Sequence, residues 1–64
     1  MKIVINGEAH EVAATTLAGL LEERGFAGRV ATAVNEAFVP AALRGSQALR
    51  DGDRVEILAP MQGG

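Results

Sequence analysis

The sequence predicts a small α+β domain: a mixed five-stranded sheet, one helix packed on one of its faces, and a flexible C-terminal Gly-Gly tail. Three observations carry that reading. Apolar runs rich in β-branched residues stand near both ends of the chain, at Lys2 to Asn6 and Arg54 to Ala59, and read as strands. Between them Leu17, Leu20 and Leu21 fall at i, i+3 and i+4, a single helical stripe. Asn6-Gly7 follows the first run directly and is a strong two-residue hairpin signal, because both central positions of a type I′ turn need φ > 0.

Taken in order, the first strand places Ile3 and Ile5 on one face and Lys2, Val4 and Asn6 on the other. After the Asn6-Gly7 turn a second strand runs roughly from Glu8 to Ala13. His10 is the one histidine, with no cysteine in the chain, and reads as an exposed strand residue. Thr15-Thr16 caps a helix over Leu17 to Arg24, since a Thr hydroxyl can accept from an unpaired N–H of the first turn. The Leu stripe faces the sheet, and Glu22, Glu23 and Arg24 face water. Gly25 sits where a left-handed residue ends a helix, and Phe26 beyond it is expected to fold back on the core. Ala27 to Arg29 connects to a third strand, Val30 to Asn35, with Val30, Thr32 and Val34 on one face and the small Ala31 and Ala33 on the other. Asn35-Glu36 turns the chain. Glu36 disfavours a type I′ turn, so this hairpin is expected to be looser than the first. Ala37 to Val39 forms a short fourth strand, ended by Pro40 as an edge or strand end allows. Ala41 to Leu49 lacks a period and reads as one helical turn near Ala41 to Arg44, then an irregular crossing that buries Leu43 or Leu49. Asp51-Gly52-Asp53 is a tight turn. A hard cation would want six or more oxygen ligands, and the two carboxylates do not supply them. The last strand puts Val55, Ile57 and Ala59 on the core face and Arg54, Glu56 and Leu58 on the other.

Strand, strand, helix, strand, short strand, strand is an α+β layer pair. Sequential pairing gives two hairpins joined by the helix. The two most apolar strands, first and last, then lie side by side and parallel at the centre. This is the β-grasp, or ubiquitin-like, arrangement, with residues 1–60 as the domain and 61–64 as the tail.

Composition narrows the function. A chain of 64 residues is one domain that buries about 60% of its unfolded surface, with no room for an enclosed pocket beside the core. Having no cysteine, it holds no disulfide, thiolate metal site or persulfide of its own. Six basic residues against eight acidic ones give a net charge of -2, and the basic residues are scattered, which argues against nucleic acid. Trp and Tyr are absent, so a base-stacking surface is not expected. No apolar run approaches the roughly 20 residues of a membrane span, and the N-terminus lacks the pattern of a signal peptide. A cytoplasmic protein, monomeric on its own, is the expectation. No nucleophile is paired with a base, so an enzyme in its own right is not.

The chain stops on Gly63-Gly64. Glycine has no Cβ, so such an end is thin and can thread into a narrow active site on another protein. Two terminal glycines arise by chance in roughly 1 in 200 chains, and alone they would also suit a frayed tail or an expression scar. An α-carboxyl, with a reference pKa of about 3.5, is ionised at neutral pH. A carboxylate is a poor electrophile. Acyl chemistry there needs activation by a partner, most simply as a mixed anhydride with a nucleotide. At about 3.3 Å per extended residue, Met61 to Gly64 reaches roughly 13 Å.

Over its whole length the chain resembles the small sulfur-carrier proteins of thiamin biosynthesis, the ThiS type. The resemblance is carried by Ile5-Asn6-Gly7-Glu8, by Thr16-Leu17 with Leu20-Leu21, and by Ala33-Val34-Asn35 with Val39-Pro40. It continues through Leu49 to Ile57 into Gly63-Gly64. Related molybdopterin-synthase small subunits share the fold and the end but are usually longer, with tails richer in Pro and aromatic residues. Two departures stand out. Glu36 replaces a frequent Gly, and after Pro40 only Arg44 supplies a basic residue.

The resemblance implies a mechanism. An E1-like adenylating enzyme would bind the sheet face and, with its own ATP and magnesium, adenylate the Gly64 carboxylate; this chain would bind no cofactor itself. A persulfide sulfur from a cysteine desulfurase would replace the nucleotide and leave a thiocarboxylate on Gly64. Thiazole synthase would then take that sulfur. Gly63 would allow close passage, and Met61 and Gln62 would space the end from the domain. With the helix covering the face of Ile3, Ile5, Val55 and Ile57, the opposite face is open. There Leu58 and Phe38, with Arg54 and Glu56 close by, form a candidate docking patch at the root of the tail; Phe38 could instead pack inward. Other readings are a sulfur carrier for molybdopterin or cysteine synthesis, a modifier joined to lysines, or an interaction module with an inert tail.

Overall fold

Two apolar strands meet at the centre of the sheet. In the computed structural model β1 (Lys2–Ile5) and β5 (Arg54–Leu58) pair in parallel, Val4 with Arg54 and Ile5 with Val55. β2 (Glu8–Glu11) lies antiparallel on the outer side of β1, and β3 (Ala31–Val34) and β4 (Ala37–Val39) lie on the other side of β5, giving the order β2-β1-β5-β3-β4. The structure describes residues 1–26 and 29–59. Ala27, Gly28 and Pro60 to Gly64, and with them the expected domain boundary at residue 60 and the tail, lie outside the described residues.

One helix, α1 (Leu17–Glu23), covers the sheet and buries Leu17, Leu20 and Leu21. The Thr16 hydroxyl accepts from the Gly19 N–H at 3.1 Å, the expected N-cap. At the other end Gly25 (φ 77°) closes the helix, two residues beyond its last, Glu23. Its N–H donates to the Glu22 carbonyl at 3.2 Å, and the Phe26 N–H donates to the Leu21 carbonyl at 2.9 Å, the paired bonds of a Schellman motif. The leucines join Ile3, Ile5, Val12, Val34, Val39, Leu49, Val55 and Ile57 in one core.

The structure corrects several expectations. Phe26 does not fold onto the core and stays 40% exposed; the cap fixes its backbone, not its side chain. Of the two candidates in the crossing, Leu49 is buried and Leu43 is 53% exposed. The crossing itself is a 3-10 helix over Ala41–Ser46, longer than one turn. It is tied down by Arg44, whose Nε donates to Thr32 Oγ1 at 3.0 Å and whose Nη2 donates to the Val30 carbonyl at 2.5 Å. Ala59 is exposed, because β5 ends at Leu58 and the alternation ends with it. β2 is shorter than expected, though Val12 beyond it is buried. His10 is half-buried rather than exposed. It pairs across from the core residue Ile3, so it lies on the helix side, where its Nδ1 meets the Arg24 guanidinium. Glu23, expected simply to face water, accepts from the Ala13 and Ala14 amides at 3.1 and 2.8 Å.

The second hairpin is the clearest correction. Val34 pairs with Ala37, leaving a two-residue loop in which Asn35 (φ 51°) and Glu36 (φ 73°) both turn left-handed. It is tight like Asn6-Gly7 (φ 49° and 86°), not loose. Contacts from β5 hold it. Asn35 Oδ1 accepts from the Arg54 N–H at 3.0 Å, and the Asn35 N–H donates to the Arg54 carbonyl at 2.7 Å. Glu36 lies 3.6 Å from the Arg54 guanidinium.

Candidate functional site

Because side chains alternate along β5, a strand that buries Val55 and Ile57 under the helix must show Arg54, Glu56 and Leu58 on the open face. Register then decides what stands beside them. Ala33 is opposite both Glu56 and Phe38, and Ala31 is opposite Leu58. The two alanines are too small to cover their neighbours. Phe38 is 69% exposed and Leu58 62%, so Phe38 does not pack inward. With Ala31, Thr32, Ala33 and Glu56 they line a shallow depression of about 100 Å³. This is the apolar end of the open face, and Leu58 is the last residue of the strand that leads to the chain end.

Arg54, at the other end of β5, is exposed beside Glu36. The two line a groove of about 220 Å³ with Val4, Gly7, Val55 and Glu56. The four candidate docking residues therefore share one face, with the apolar pair at one end of β5 and Arg54 at the other. Met61, Gln62, Gly63 and Gly64 lie outside the described residues.

The sequence reading missed what holds β5 in place. Asn6 Oδ1 accepts from the Ile57 N–H at 2.8 Å, and its Nδ2 donates to the Ile57 carbonyl at 3.0 Å. Asn35 makes the matching contact at the strand's start. From the sequence both asparagines read only as turn formers. The signal available in the sequence was a carboxamide at each hairpin turn, since a side-chain amide can replace a peptide group of a neighbouring strand.

Other clusters are structural. Asp51 Oδ1 accepts from the Lys2 N–H at 2.6 Å, and Asp53 Oδ2 accepts from the Arg50 N–H at 2.9 Å, so both carboxylates of the turn serve the backbone. No group of three or more metal-ligating side chains occurs among the described residues. His10 has Glu8 3.6 Å from its Nε2 and Arg24 at its Nδ1. No helix among the described residues is long and apolar enough to cross a membrane.

The ThiS family model matches residues 3–64, nearly the whole chain. The chain belongs to the ThiS family. Its fold agrees with a crystal structure of the thiamine biosynthesis protein (ThiS) from Geobacter metallireducens, at 26% identity and TM-score 0.85, covering all of both chains. A solution structure of a thiamine biosynthesis protein from the same organism matches at 26% identity and TM-score 0.82, covering all of this chain and 88% of that one. Comparison with curated protein sequences gives no match. The fold is thus the β-grasp of ThiS proteins, and membership of that family supports a sulfur-carrier role exercised through partner enzymes rather than as an enzyme.

Proposed function

We propose that this ThiS-family chain carries sulfur on Gly64 for thiazole formation in thiamin biosynthesis. The observation that carries the reading is the family match running through residue 64. The exposed Leu58 and Phe38 at the end of β5 add to it. An E1-like enzyme docks on the open face around these residues, with Arg54 and Glu56 beside them. It holds ATP and magnesium; the chain supplies only the nucleophile. A Gly64 carboxylate oxygen attacks the α-phosphate, pyrophosphate leaves, and an acyl-adenylate forms. A persulfide, derived from cysteine by a desulfurase, displaces AMP. A thiol then cleaves the S–S bond, leaving a thiocarboxylate on Gly64 and a disulfide on the donor. The thiocarboxylate sulfur is the nucleophile passed to thiazole synthase. Gly63, without a side chain, passes the narrow channel, and Met61 and Gln62 set the reach.

Intact mass tests this after incubation with ATP, magnesium, an E1-like enzyme from the same organism and a sulfur source. The expected result is exchange of one oxygen for sulfur, absent from a chain lacking Gly64. An adduct on a lysine amine would make the chain a protein modifier instead. No change at all would refute the carrier reading.

A further inference from the structure

In the parallel β1–β5 ladder, alternate residues of β5 turn their peptide groups toward β1. The Asp53 carbonyl accepts from the Val4 N–H at 3.0 Å, and the Val55 carbonyl accepts from the Asn6 N–H at 2.9 Å. The next group in this series is Ile57. The main chain of β1 does not reach it, because β1 ends at Ile5 and the chain turns away through Asn6 and Gly7. The Asn6 carboxamide stands in for the missing strand, meeting both the N–H and the carbonyl of Ile57 at 2.8 and 3.0 Å. On its other side β5 is held by β3, down to the pair Ala31–Leu58. Asn6 is thus the lateral support on the β1 side for the residue just before Leu58, where β5 leaves the sheet.

We infer that Asn6 is a positioning residue for activation of the C-terminus: its side chain fixes Ile57, and through it Leu58 and the direction in which the chain leaves β5. This rests on the carrier reading above. Asn6 touches none of the reacting atoms. It acts by ordering, in the free protein, a strand end that docking would otherwise have to order. That contribution is equal in the bound ground state and in the transition state, so it belongs to KM rather than kcat.

The test compares Asn6→Gly and Asn6→Asp with the wild type and with Thr16→Ala. Glycine accepts the left-handed backbone and removes the amide. Aspartate keeps an acceptor for the Ile57 N–H but puts a second oxygen against the Ile57 carbonyl. Thr16→Ala removes the helix N-cap, on the covered face, and serves as the control for lost stability. Steady-state adenylation, followed by pyrophosphate release with an E1-like enzyme well below the unfolding temperature, gives KM and kcat. Amide hydrogen exchange gives the protection of Ile57. For both Asn6 variants kcat/KM should fall about tenfold, the equivalent of one or two net hydrogen bonds, with the change in KM and with Ile57 protection lost. Thr16→Ala should keep the wild-type KM. An Ile57 amide as protected in Asn6→Gly as in the wild type overturns the inference, as does a KM change no larger than that of Thr16→Ala. A wild-type chain that is not adenylated at all refutes the carrier reading, and the inference falls with it; adenylation of the wild type with equal KM in the Asn6 variants refutes the inference alone.

Discussion

At Asn6 and Asn35 the backbone turns left-handed, with φ of 49° and 51°, and in each case the side chain reaches across to β5. The left-handed region costs most L-residues roughly 1–2 kcal/mol, and asparagine less. Each carboxamide also satisfies main-chain groups of a central strand. The two roles separate by substitution. Asn35→Gly keeps the turn and loses the bonds from Oδ1 and Nδ2 to Arg54 and Asp53; about 1–2 kcal/mol of stability should go with them. Asn35→Ala adds the left-handed penalty and should cost about 1 kcal/mol more. Urea unfolding followed by circular dichroism reads the difference, and equal midpoints for the two variants would remove backbone conformation as a cause. Glu36 offers the opposite case. It sits at φ 73° with an exposed partner, Arg54, 3.6 Å away. An exposed pair contributes at most about 1 kcal/mol, so Glu36→Gly, which relieves the backbone, should leave stability within about 0.5 kcal/mol of the wild type.

The elements were legible where apolar spacing and local capping agreed. Ile3 and Ile5, Val55 and Ile57, and the leucines of α1 repeat with the period of their element, and all are buried. From these the parallel central pair and the crossover helix follow with few alternatives. The Thr16 cap and the Gly25 terminus are local chemistry and could be read directly. The 3-10 crossing could not, because polar contacts distant in sequence hold it: Arg44 reaches Val30 and Thr32, and no periodicity records such bonds. The tight second hairpin was missed for the same reason, since Glu36 is a poor left-handed residue locally and the support comes from β5. Phe26 shows the limit of hydrophobicity as a guide, since more than half of a folded surface is apolar. The helix-to-sheet contact gives its own prediction. Leu20 is fully buried, and Leu20→Ala should cost about 2–5 kcal/mol. A 64-residue domain holds only about 3–10 kcal/mol in total. The variant should therefore be substantially unfolded at moderate urea. A midpoint close to the wild type would mean that α1 is not what covers the core.

Taken whole, the sheet has one face covered by the helix and one face left open. The helix, Leu49 and Val12 close one face of the sheet, and the other keeps Phe38 and Leu58 uncovered at the end where β5 leaves for Gly64. The position of the patch was legible from alternation along β5, whereas its exposure depended on Ala31 and Ala33 lying opposite, which only the register reveals. With docking on the open face, as proposed, stability and activation are separable. Leu58→Asp changes a side chain that is 62% exposed, on the face of β5 opposite Val55 and Ile57, so stability should move by no more than about 0.5 kcal/mol. In a docked complex the same aspartate would be a desolvated charge against an apolar partner surface, which costs several kcal/mol unless it is paired. Activation, measured as pyrophosphate release with an E1-like enzyme, should then fall at least about tenfold in kcat/KM. Ala9→Asp supplies the comparison: Ala9 pairs with Val4 and adds the same charge to the same face, on the far edge strand β2. If docking centres on the Leu58 end, Ala9→Asp is activated nearly as well as the wild type. Equal losses in the two variants would mean that net charge, and not the apolar patch, governs recognition, while an unaffected Leu58→Asp would place docking elsewhere on the molecule.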